Sequence, residues 1–106
     1  MPHSIEIMKG SGGIPSVCQK ADNSRNLVWK SPVDEKFTVR FDRSFSKVNT
    51  AGKYVFHSTE KPKSQEVRIK LRAKTHDAIK NLPKDFRFKY TIEMGGKKWD
   101  PYVDPH

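Results

Sequence analysis

Only one cysteine occurs among the 106 residues, so Cys18 can close no intrachain disulfide and the chain carries no cysteine-rich zinc motif. Long apolar runs are missing too: nothing approaches the roughly 18 consecutive apolar residues of a membrane span. The first residues, Met1-Pro2-His3-Ser4-Ile5-Glu6, lack the basic-then-apolar order of a secretory signal. These absences lead to the expectation of a cytoplasmic protein. Acidic residues are scarce, 12 Asp and Glu against 21 Lys and Arg, which leaves a formal net charge of +9. A surplus of that size keeps a chain soluble and draws it towards polyanions such as nucleic acid, anionic lipid or an acidic protein, without choosing among them.

The motifs of common catalytic and cofactor sites are absent as well. His3, His57, His76 and His106 show neither the His-x-His nor the His-x-x-x-His spacing of a local metal pair. No Gly-x-Ser-x-Gly elbow occurs, and no histidine lies near Cys18 in sequence to lower its thiol pKa. Gly10-Ser11-Gly12-Gly13 is followed by Ile14-Pro15 rather than the Gly-Lys-Ser/Thr that a phosphate loop requires, so it reads as a flexible loop. Asp34-Glu35 reads as a solvated turn. The expectation is a protein without catalytic activity and without a cofactor.

Alternation is what the chain does have. Phe86, Phe88, Tyr90, Ile92 and Met94 share one side of an extended segment, with Arg87, Lys89, Thr91 and Glu93 on the other. Val67, Ile69 and Leu71 alternate in the same way with Arg68, Lys70 and Arg72, as do Phe37, Val39 and Phe41 with Thr38, Arg40 and Asp42. Further strands are predicted at Ser4–Met8, at Asn26–Lys30 around Trp29, at Lys53–Ser58, and around Tyr102 and Val103. Turn formers separate them: Ser31-Pro32, Ala51-Gly52, Lys61-Pro62 and Gly95-Gly96, the last suited to the positive φ angles of a tight hairpin. Only Lys74–Asn81 reads as helix, ended by Leu82-Pro83. Residues 9–25 have no clear period and read as a surface loop. About seven short strands, each apolar on one face, need a second sheet to cover that face. The prediction is one domain spanning 1–106, an all-β, antiparallel Greek-key β-sandwich of immunoglobulin or cupredoxin type with one short helix.

The carboxy-terminal run Phe88-Lys89-Tyr90-Thr91-Ile92-Glu93-Met94-Gly95-Gly96-Lys97-Lys98-Trp99-Asp100-Pro101 resembles the end of bacterial cupredoxin-like (plastocyanin-like) domains. These finish with an aromatic–x–Tyr–Thr strand, a glycine turn and an Asp-Pro before the last strand. Val28-Trp29 and Phe37-Thr38-Val39-Arg40-Phe41, with Ser44-Phe45 following, are similar to the first half of that pattern. The resemblance implies the Greek-key sandwich. It does not carry over copper, which such domains bind through two His, one Cys and a weak axial Met near the final strands. Here that region holds neither Cys nor His before His106, and Met94 reads as the last apolar member of its strand.

The remaining constellation is basic. Arg68, Lys70 and Arg72 share one wet face, and Arg40, Arg87 and Lys89 lie on the wet faces of the other two strong strands. Placed in one sheet, they would form a positive, anion-binding plate. Three functions are therefore weighed. The first is a non-catalytic module that binds a protein or acidic partner. The second is sequence-tolerant binding of nucleic acid or another polyanion through the basic face. The third is copper binding or transport by scattered His and Met with Cys18.

Overall fold

Phe88, Tyr90, Ile92 and Met94 are buried while Lys89 is exposed, as a period of two demands of a strand with one wet face. The same rule holds for Val67 and Ile69 against Arg68 and Lys70, and for Val39 and Phe41 against Arg40. A computed structural model of the chain describes residues 3–6, 18–20 and 23–106. In chain order the strands are β1 (His3–Glu6), β2 (Cys18–Lys20), β3 (Asn26–Ser31), β4 (Thr38–Phe41), β5 (Val55–His57), β6 (Thr59–Lys61), β7 (Ser64–Lys70), β8 (Phe88–Met94), β9 (Lys97–Trp99) and β10 (Tyr102–Asp104). A 3-10 turn covers Arg43–Lys47, and a single helical turn, α1, covers Asp77–Lys80.

The strands form two sheets. One has four strands in the order β1-β3-β7-β6. The other has the order β2-β10-β8-β4-β5, with β9 folded back on β8. The predicted all-β sandwich is what the chain forms. Leu27, Trp29, Val67 and Ile69 from the first sheet meet Val39, Phe41, Phe88, Tyr90, Ile92 and Val103 from the second in one core. The chain moves repeatedly between the sheets, so sequence neighbours such as β5 and β6 belong to opposite layers. The core joins the layers by polar as well as apolar contacts. Trp29 Nε1 donates to the Tyr90 hydroxyl at 3.1 Å, both side chains being buried, and the bond crosses from sheet to sheet. Phe41 stacks on Phe45 with ring centroids 3.6 Å apart, and Phe88 meets Phe45 edge-on at 5.2 Å.

A second tie lies at the chain's end. Arg25 holds the left-handed backbone conformation, φ 66°, and its buried guanidinium donates from Nε to Arg72 O and from Nη2 to Pro105 O. The end of β7 is thereby fastened to the end of β10. Burial draws the Arg25 pKa below the ordinary arginine value, and the nearby Asp104 carboxylate opposes that shift.

Several elements differ from the sequence reading. The sandwich contains ten strand segments among the described residues, rather than about seven. Strand β2 falls inside the stretch read as a surface loop, where three residues are too few to display a period; of the rest of that stretch, 23–25 lead into β3, and 9–17 and 21–22 lie outside the described residues. Strand β6 is wholly polar because it is an exposed edge, so no alternation marks it. Strand β9 is only the short return of a hairpin. Gly95 and Gly96, at φ 58° and 80°, form the two-residue turn that joins it to β8, as their sequence suggested. Pairing is antiparallel except at β1 with β3 and β2 with β10, which run parallel. The predicted helix shortens to Asp77–Lys80, and His76 caps it by accepting the Ala78 N–H on Nδ1. The strand predicted at Ser4–Met8 is seen to Glu6; Ile7 and Met8 lie outside the described residues.

Candidate binding groove

The six basic residues do not come together as one plate. Strand β7 belongs to the four-stranded sheet, whereas β4 and β8 belong to the six-stranded one. With the core between the sheets, Arg68 and Lys70, and Arg72 just past their strand, lie on one outer face; Arg40 and Lys89, and Arg87 just before its strand, lie on the opposite one. Alternation tells which side of a strand is wet, but not to which layer the strand belongs. Three of the six are also engaged by carboxylates. Arg40 Nε is 3.1 Å from Glu93 Oε1, Arg68 Nη2 is 3.5 Å from Glu66 Oε1, and Arg87 Nη2 is 3.7 Å from Asp104 Oδ2.

Cations do converge elsewhere, where the chain leaves one sheet for the other. Strand β5 ends the six-stranded sheet, Ser58 makes the crossing, and β6 begins the edge of the four-stranded sheet. Between them lies a solvent-open groove of about 380 Å³ whose walls carry Lys53, Lys61, Arg68 and His57, with Glu66 as the single acid. Val55, Phe56 and Val67 supply its apolar floor. A smaller hollow of about 280 Å³ also has His57 in its wall, together with Lys36, Thr38 and Glu93 among others. His57 thus lines both, its Nδ1 3.1 Å from Thr38 Oγ1.

Two buried amides fix this geometry. Gln65 Nε2 donates to Val33 O at 2.9 Å, and its Oε1 accepts the Ser58 hydroxyl at 3.0 Å. That hydroxyl oxygen in turn accepts the Phe37 N–H at 3.0 Å, so the crossing is pinned to both sheets. At the other end Asn49, fully buried, donates through Nδ2 to Phe45 O and Lys53 O, while its Oδ1 accepts from Ala51 N and Gly52 N. The loop that presents Lys53 is therefore built around one satisfied amide. Sequence reading singled out neither residue. Buried Asn and Gln are visible in a sequence only as polar letters, and their role depends on long-range neighbours. Of the six basic residues that were singled out, only Arg68 lines the groove.

The Ser58 hydroxyl is committed to Gln65 and Phe37, and the Thr38–His57 pair is solvent-exposed. Among the described residues no three His, Cys, Asp or Glu side chains converge in a way that could hold a metal ion. The copper donors of cupredoxins do not fit what is described: Met94 is buried as part of β8, and His106 Nδ1 is 3.0 Å from Asp104 Oδ1. Cys18, distant in sequence, lies on β2 in register with Tyr102 of the last strand. No helix among the described residues is long and apolar enough to cross a membrane. Comparison with protein-family models, curated proteins and solved structures finds no match to the chain.

Proposed function

We propose that this domain is a non-catalytic binding module that recognises an acidic protein partner through the groove between β5, β6 and β7. The observation that carries this reading is the concentration of Lys53, Lys61 and Arg68 around one concave, partly apolar surface that holds a single carboxylate. A cleft lined by one sign of charge over a low-dielectric floor focuses the field and attracts the opposite sign. The six basic residues on the strong strands are divided between two opposed faces and offer no single plate to a phosphate backbone. Kinship with copper-free cupredoxin-like domains belongs to the same proposal. It rests on the likeness in sequence of the run 88–101 to the end of those domains.

A fluorescent decaglutamate peptide tests the reading. It should bind at low salt and weaken as salt rises, because part of the attraction is between exposed charges. The double substitution Lys53→Glu and Arg68→Glu should weaken binding by about tenfold or more, or about 1.4 kcal/mol, with the fold intact. Equal binding by both proteins would place the interaction elsewhere and sink the proposal.

A further inference from the structure

We propose that the groove's occupant is an extended acidic segment of a partner protein that adds to the six-stranded sheet as a strand along β5, an inference that rests on reading the groove as an acidic-partner site. The backbone carries it. Antiparallel pairing alternates between residues that exchange hydrogen bonds with their partner strand and residues whose N–H and C=O point away from it. Phe41 N donates to Tyr54 O at 2.7 Å, and Ser58 N donates to Phe37 O at 2.9 Å, which fixes the phase at both ends of β5. Tyr54, Phe56 and Ser58 therefore bond to β4, and the N–H and C=O of Val55 and His57 face the groove. That is the spacing an added strand uses.

The opposite wall continues the pattern. Leu71 N donates to Arg25 O, while Thr50 N donates to Lys70 O on the other side of β7. Odd-numbered residues of β7 thus bond towards β3 and even-numbered ones away from it. Glu66 is paired there with Thr59, and Lys70 with Thr50, so Arg68 alone between them turns its N–H and C=O towards the groove. Two sheet edges hold unused ladder groups on either side of one cleft.

Charge selects the occupant. Open strand edges pair readily with any extended chain, and lysines beside them discourage a chain of like charge. With Lys53, Lys61 and Arg68 around this edge and a net charge of +9, a second copy of the protein is repelled. An extended segment with acids at alternate positions would set its carboxylates on one face, against those cations, and its apolar residues on the other, beside Phe56. A nucleic acid offers the charge but no N–H and C=O ladder.

The probe is a synthetic heptapeptide, Thr-Glu-Val-Glu-Val-Glu-Thr, with two twins N-methylated at its odd or its even residues. The parent should bind, slow amide exchange at Val55 and His57, and lose about tenfold or more in affinity in at least one methylated twin, because methylation removes ladder donors. Val55→Pro should cost the parent peptide a similar factor while leaving the melting temperature nearly unchanged, since that N–H faces away from β4 and edge strands accept proline. If all three peptides bind equally and Lys53→Glu weakens them equally, recognition is by charge alone; the acidic-partner reading survives and strand addition fails. If none binds and Lys53→Glu changes nothing, both fail. An oligothymidylate of equal charge that binds the groove more tightly than the peptide would overturn the proposal in favour of nucleic acid.

Discussion

Phe88 and Lys89 differ by one position in the chain and by a whole environment in the fold. Phe88 is 4% exposed and meets Phe45 and Phe86 edge-on, while Lys89 stands on the outer face in register with Tyr102. Phe88→Ser removes a buried ring, leaves a cavity and places a hydroxyl among aromatics, at an expected cost of about 3 kcal/mol or more. Lys89→Ser should change stability by less than about 0.5 kcal/mol. Urea melts of both variants check the contrast, and equal effects would refute the register of β8. Residues of this kind were legible because one letter decides both burial and strand side. Asn49 and Gln65 were not, since nothing local distinguishes a buried, hydrogen-bonded amide from one on the surface.

At the scale of elements, legibility followed length. The long alternating strands β7 and β8 were anticipated to within a few residues, and the Gly95-Gly96 hairpin by its turn chemistry. Two three-residue strands, β5 and β10, fall where short strands were predicted, but β2, β6 and β9, and the 3-10 turn Arg43–Lys47 that carries Phe45 into the core, leave no period to read. That turn has its own electrostatic signature. Asp42 precedes it, and its carboxylate accepts from the Ser44 N–H and hydroxyl at 3.1 and 2.8 Å. These bonds, the hydroxyl's first, hold the Asp42 pKa below the ordinary carboxylate value. A group with a depressed folded-state pKa stabilises the protein above its unfolded pKa, and the benefit is lost as pH falls through the folded value. Asp42→Asn keeps a capping side chain but removes the charge. The variant should melt below the parent at neutral pH, and the gap should close as the solution is acidified through and below the normal aspartate range. A melting-temperature gap that stays constant across that window would show that the carboxylate's charge contributes nothing to the cap.

For the molecule as a whole, the decisive unknown in the sequence was layer assignment. Alternation identified Arg68, Lys70 and Arg72 as one wet set and Arg40, Arg87 and Lys89 as another, but only topology places β7 opposite β4 and β8. The groove between β5 and β6 was equally hidden, because it arises where two short edges from different sheets pass each other. The division of charge has a measurable consequence. Any contact with an oligonucleotide laid on one sheet must use one basic set at a time, and each phosphate contact to single-stranded nucleic acid adds about 0.7 to the log–log salt slope. Two triple variants separate the cases: Arg68, Lys70 and Arg72 replaced by serine, or Arg40, Arg87 and Lys89 replaced by serine. On a single plate both triples would lower the slope, and by comparable amounts. On opposed faces one triple should lower it and the other should leave it nearly unchanged. Fluorescence titrations of the three proteins at four salt concentrations give the slopes directly. Comparable losses from both triples would contradict the placement of β7 and β8 in separate layers, or require the nucleic acid to wrap around the edge of the sandwich. A loss confined to the Arg68 set would point to the face that adjoins the groove.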